Sequence, residues 1–298
     1  MPLVATLVSS PADPQVGDAL VAAARRAVAA EAVAVLAPGI AADLLLPEGT
    51  LAGPATLALR EVVGDAAVDV VVQPAATRRK GLLLADMDST MIGEECIDEL
   101  AAEAGLKEHV AAITERAMRG DLAFEPALRE RVALLAGLPA SVVAKVIETR
   151  ITLTPGGREL VATMRANGAY AALVSGGFTV FTGPIAARIG FDENRANFLI
   201  EEDGRLAGRV AEPILGREAK LEALVELRTR LGLEPHATMA VGDGANDLAM
   251  IGEAGLGVAF RAKPAVAAAA AARIDHGDLT ALLYIQGYRA ADFISPAG

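Results

Sequence analysis

Four short apolar runs, GLLLADMD (81–88), AYAALVSGG (169–177), TMAVGDG (238–244) and LGVAF (256–260), constrain this chain more than any other feature. Each is too short for a core helix and has the continuous apolar character of a strand buried on both faces, with polar residues gathered at its carboxyl end. Helical patterns fill the intervals. Strand and helix alternating in this way predict an α/β fold, a doubly wound parallel sheet, whose ligands bind along the carboxyl edge of the strands.

About seventy residues separate the first two runs, dominated by helical periodicity from Cys96 to Glu148. A crossover between parallel strands needs far fewer. The excess predicts an inserted helical cap over residues 95–148, set into a core of 81–94 and 149–298. FLIEEDGRLAGRV adds a polar hairpin, turning at Asp203-Gly204. Upstream, apolar runs at Leu3–Val8, Ala32–Leu36 and Val68–Val72, with helical stretches near Val16–Ala30 and Pro54–Val63, predict a small α+β domain over residues 1–73. Residues 74–80, with Pro74 and the triplet Arg78, Arg79, Lys80, read as its linker.

The chain carries 38 acidic against 27 basic residues, a net charge of −11, which argues against a nucleic-acid partner. No apolar stretch approaches membrane-spanning length, and the amino terminus lacks the pattern of a secretory leader. With Cys96 as its single cysteine the chain has no internal disulfide, so a reducing, cytoplasmic setting is expected.

Chemistry concentrates at the strand ends. Asp86 and Asp88 in DMDST lie two residues apart, so in extended chain both carboxylates point the same way. One could attack phosphorus while the other exchanges protons with the leaving group and water. GDGAND supplies Asp243 and Asp247, hard oxygen donors suited to magnesium. Ser175 and Gly176 could bind phosphate oxygens through hydroxyl and backbone N–H groups, and Lys220 could neutralise phosphate charge. Each motif alone also fits an ordinary turn or a solvated charge. Two acidic strand ends within one α/β pattern are harder to ascribe to coincidence.

DMDST, SGG, Lys220 and GDGAND, in that order around a helical insertion, resemble the haloacid dehalogenase-like superfamily. Within it, EECIDELA, ITERAMRGDLAFEPALRERV and GGF are similar to the phosphoserine phosphatase family, over roughly residues 81–287. The resemblance implies that Asp86 is the nucleophile and Asp88 the general acid/base. It implies magnesium held by Asp86, the Asp88 backbone carbonyl and Asp243, with Asp247 supporting the metal's water shell. Ser175, Gly176 and Lys220 would bind phosphate, and Asn246 would contact the phosphate or help orient Lys220. Glu95 would face the substrate ammonium and Arg131 its carboxylate, with Met118 and Phe124 as apolar cap contacts that exclude water.

The expected substrate is the small molecule O-phosphoserine, on a route to serine, with another phosphomonoester such as phosphohomoserine as the alternative. A signalling receiver domain would also phosphorylate an aspartate, but Asp88 and the cap argue for turnover. A regulatory protein with a vestigial site is disfavoured because every catalytic position holds a competent residue. For residues 1–73, an amino-acid-binding regulatory role resembling an ACT domain and a dimerising role both stay open, so a homodimer is among the expectations.

Overall fold

The computed structural model describes residues 1–118 and 122–295, apart from the side chains of residues 117 and 118. The first 74 residues form β1 (Leu3–Ser9), α1 (Asp18–Ala27), β2 (Ala32–Ala37), β3 (Ala41–Leu45), α2 (Ala52–Val63) and β4 (Val68–Pro74). The strands pair antiparallel in the order β2-β3-β1-β4. Alternation along them places Ala5, Leu7, Ala42, Leu44 and Val70 in one cluster with Leu59 of α2, while Val8, Ala41 and Val71 join the core of the larger sheet.

Strand β3 is absent from the sequence-based expectation, because Asp43 interrupts an already short apolar run. The tertiary fold supplies what that charge needs. Asp43 is buried, accepts the Thr6 hydroxyl at 2.7 Å, and pairs with the Arg78 guanidinium at 2.5 Å.

Arg78 belongs to the segment read as a linker, which is pinned along its length. Arg79 stacks its guanidinium 3.3 Å from the centre of the Tyr288 ring. The buried Lys80 ammonium donates to the carbonyls of Thr77 and His236. Just upstream, Gln73 lies within β4 and donates to the Ile285 carbonyl at 2.7 Å. On the same strand face Asp69 accepts the backbone N–H groups of Asp275, His276 and Gly277. The amino-terminal sheet is therefore docked on the rest of the chain through specific polar contacts.

The larger sheet contains β5 (Leu82–Ala85), β6 (Tyr170–Phe178), β7 (Glu193–Asn197), β10 (Thr238–Gly242), β11 (Leu256–Phe260) and β12 (Ala272–Ile274). All six are parallel, in the order β12-β11-β10-β5-β6-β7. Between and beyond these strands run α7 (Gly157–Ala166), α8 (Thr179–Ile189), α9 (Arg217–Arg230), α10 (Leu248–Glu253), α11 (Pro264–Ala269) and α12 (Ala281–Ile285). In β5, Leu83 and Ala85 face the cluster holding Leu160 of α7 and Phe181 of α8; Leu82 and Leu84 face the one holding Leu224 of α9 and Met250 of α10. Burial on both faces explains why the strand reads as unbroken apolar sequence. The chain leaves β5 toward β6 on one side and later returns to β10 on the other, so a crevice opens at the carboxyl end of β5.

Over that crevice lie four helices, α3 (Cys96–Glu103), α4 (Lys107–Met118), α5 (Phe124–Ala133) and α6 (Val142–Thr149). The expected hairpin is present as β8 (Leu199–Glu202) and β9 (Arg205–Val210), with Asp203 and Gly204 both at positive φ in the turn. It docks on the helical insertion through Gly137 N–H to the Leu206 carbonyl and Ala140 N–H to the Gly204 carbonyl. Among the described residues, no helix is long and apolar enough to cross a membrane.

Candidate active site

Beyond β5, Asp86 (φ −71°, ψ 159°) and Asp88 (φ −63°, ψ 137°) have extended backbone angles, while the fully buried Met87 between them opens a helical turn and donates its N–H to the Asp86 carboxylate at 2.7 Å. Both carboxylates face the same cavity. The Asp86 N–H continues the ladder to the Val241 carbonyl at 3.0 Å, and Ser89 at φ 54° then turns the chain away. Asp88 accepts the Cys96 N–H at 3.3 Å, at the start of α3. Ser89 donates its hydroxyl to Glu95 at 2.8 Å.

Lys220, projecting from α9, is fully buried with its ammonium 2.7 Å from Asp86 and 2.6 Å from Asp247. Burial alone would lower the lysine's pKa, but Asp247 and Asp86 outweigh it and hold the group protonated. Burial raises Asp86 well above the usual carboxylate range, Asp247 adds to the rise, and Lys220 pulls against it. The second Asp247 oxygen accepts the Gly244 N–H at 3.0 Å. Gly242 is required here, since a Cβ would fall 2.4 Å from that carboxylate.

Oxygens of Asp86, Asp243 and Asp247 lie within 4.8 Å of one another. Burial and Asp247 push Asp243 up to about 6. Crowded, partly uncompensated carboxylates of this kind form a hard donor set that fits a divalent cation. Thr90 donates to Asp243 at 3.3 Å. The Asp88 side chain is outside this group; burial and the neighbouring Glu95 push it up to about 7.

On β6 the pairing with β7 slips between Val174 and Phe178, releasing Ser175–Gly177 from regular register. Ser175 is buried and its hydroxyl oxygen accepts the Gly177 N–H at 2.9 Å. A Cβ at Gly177 would lie 3.2 Å from Asp88, so the serine loop and the carboxylate pair are neighbours. From the cap, Phe124 covers the loop: a Cβ at Gly176 would meet its ring at 3.2 Å.

Arg131 is buried on α5, donating to the Ala127 carbonyl and the Thr114 hydroxyl. Burial lowers its pKa, with Asp98, Glu95 and Asp88 opposing. A cavity of about 340 Å³ has Asp86, Asp88, Ser175 and Asn246 in its floor and Glu95 and Arg131 in its cap wall. Phe124, Gly176 and Asp243 line it as well, whereas Lys220 and Asp247 lie buried beneath. The contact expected of Met118 falls outside the described side chains. Arg217 and Lys263 also line the cavity, and Thr114, within the ITERAMRG segment but given no role from the sequence, supports Arg131. Asn197, buried behind the serine loop, was invisible, because nothing in NRANFLI marks it.

The haloacid dehalogenase-like hydrolase family model matches residues 83–252. The chain is 43% identical to the phosphoserine phosphatase SerB2 of Mycobacterium tuberculosis over 84% of its own length and 61% of the relative's. It is 46% identical to a phosphoserine phosphatase of a Polaromonas species, covering 68% of this chain and 88% of the relative. Against several curated relatives the chain spans only about three fifths of their length. Among solved structures, a haloacid dehalogenase-family hydrolase from Salmonella enterica serovar Typhi superposes with a TM-score of 0.85 at 30% identity, over 96% of this chain and 98% of the other.

Proposed function

The chain belongs to the haloacid dehalogenase-like hydrolases, and we propose that within that family it hydrolyses O-phosphoserine to serine and phosphate, in serine biosynthesis. One observation carries the reading. A single cavity holds a carboxylate pair suited to phosphoryl transfer, Asp86 and Asp88, together with an acid and a guanidinium, Glu95 and Arg131, suited to a zwitterion. Relatives named phosphoserine phosphatase support the same substrate.

In this reading an Asp86 oxygen attacks phosphorus as the bond to the serine oxygen breaks. Asp88, protonated, gives its proton to that oxygen, leaving an aspartyl phosphate and free serine. Water then attacks phosphorus, Asp88 takes the proton, and the P–O bond to Asp86 breaks to restore the carboxylate and release phosphate. Asp88 sits near its working range, because burial and Glu95 push it up to about 7. Ser175 and Gly176 hold phosphate oxygens, and Lys220 keeps Asp86 oriented while countering the charge that gathers there. Asp86, the Asp88 carbonyl and Asp243 would hold magnesium, with Asp247 behind; the ion supplies positive charge to the phosphoryl oxygens. Residues 95–148 act as the cap that excludes water, Phe124 seating against Gly176. A cytoplasmic setting fits the lone, buried Cys96.

The test is phosphate release from O-phosphoserine, O-phosphohomoserine and a simple alkyl phosphate, with magnesium and after chelation. Phosphoserine should give the highest kcat/KM, and chelation should abolish turnover until magnesium is restored. A preference for phosphohomoserine or for the alkyl ester would overturn the substrate, and undiminished turnover after exhaustive chelation would overturn the metal.

A further inference from the structure

We propose that Asn197 is a positioning residue that sets the phosphate-binding geometry by fixing the serine loop relative to the segment that carries Lys220; the proposal rests on the phosphatase reading above. Asn197 ends β7 opposite Phe178, immediately after the register slip that frees Ser175–Gly177. Only 1% of its surface is exposed, and its amide is used on both sides. Nδ2 donates to the Gly176 carbonyl at 2.9 Å and to the Leu215 carbonyl at 3.2 Å, while Oδ1 accepts the Leu215 N–H at 2.7 Å.

These contacts determine where two groups sit. The peptide joining Gly176 to Gly177 is held at both ends, its carbonyl by Asn197 and its N–H by the Ser175 hydroxyl oxygen at 2.9 Å. Asn197 thereby orients the Ser175 side chain without touching it. On the other side Leu215 lies just ahead of α9, which places Lys220 2.7 Å from Asp86. Phe124 rests against Gly176 and also near Gly216, where a Cβ would lie 3.5 Å from its ring. One buried amide therefore spans the phosphate loop, the approach to Lys220 and the seat of the cap's aromatic ring. No carboxylate can replace it, because an ionised aspartate would accept from Leu215 but oppose the carbonyls of Gly176 and Leu215.

The experiment titrates inorganic phosphate calorimetrically into the full chain with magnesium present, for the wild type, Asn197→Asp and Asn197→Ala, with folding followed by thermal melts. Disrupting a buried hydrogen-bonded group predicts phosphate binding at least about tenfold weaker in both variants. The KM for phosphoserine should rise in parallel, and the magnesium concentration giving half-maximal activity should change less than about twofold. If Asn197→Ala does not fold, the isosteric Asn197→Asp decides alone. Unchanged phosphate affinity in a folded variant overturns the proposal, as does a loss confined to kcat. A wild type that binds phosphate but leaves phosphoserine intact would sink the substrate reading and still leave this one measurable.

Discussion

The Lys220 ammonium lies 2.7 Å from the Asp86 carboxylate, buried beneath the cavity whose floor Asp86 forms, so the proposed nucleophile and its counter-charge form a largely buried unit. Asp247 completes it from the other side. Lys220→Met would leave those acids buried without a cation, a change that typically costs about 3–5 kcal/mol. Losing the charge should also lower kcat roughly a hundredfold to a thousandfold. Denaturant unfolding and steady-state turnover measure both. A Lys220→Met protein of normal stability and rate would show that the pair contributes to neither.

Asp86→Asn should abolish turnover and trapping by beryllium fluoride, since an amide is no anionic nucleophile. Near-normal turnover in a pure variant would refute the assignment.

Asp88→Asn should slow both formation and breakdown of the phosphorylated enzyme. Because burial and Glu95 push Asp88 up to about 7, its acid form predominates below that pH and falls away above it. The wild-type phosphorylation step should therefore slow as pH rises beyond about 7, and that limb should vanish in Asp88→Asn. Rapid-quench kinetics across pH would reveal a persistent limb, which would assign the proton transfer elsewhere.

Gly176 leaves room for the cap. An added methyl would meet the Phe124 ring at 3.2 Å, closer than comfortable packing. Gly176→Ala should lower kcat/KM, and Phe124→Leu combined with it should recover part of the loss, a non-additive pair expected of residues in contact. Strict additivity of the two losses would separate the ring from the loop.

Glu95 and Arg131 should read the amino-acid end of the substrate. Glu95→Gln and Arg131→Ala each remove one member of a charge pair formed with it, a loss of about 2–5 kcal/mol in kcat/KM for phosphoserine. A simple alkyl phosphate should suffer much less. Equal losses on both substrates would mean that these residues only support the cap.

How much of this was legible depended on distance along the chain. The strands carrying Asp86, Ser175 and Asp243 could be read directly, because burial on both faces writes itself as continuous apolar sequence. Asp86 and Asp88 do face one cavity, but not through the two-residue period of extended backbone, which breaks where Met87 opens a helical turn. The inserted helices were visible as excess length, and the docking of the Asp203-Gly204 hairpin against them was not. Strand β3 stayed hidden because its Asp43 is tolerable only beside Thr6 and Arg78, the latter 35 residues away. Asn197 stayed hidden for the same reason, since both its partners come from other segments. Local patterning alone determined the central strands β5, β6, β10 and β11 and which of their ends carry acid, but not β3, β7 or β12, which carry no comparable apolar run. Only the tertiary structure decided which buried polar group meets which. A side chain's partners are set by packing across the sheet, and no period in the sequence encodes them.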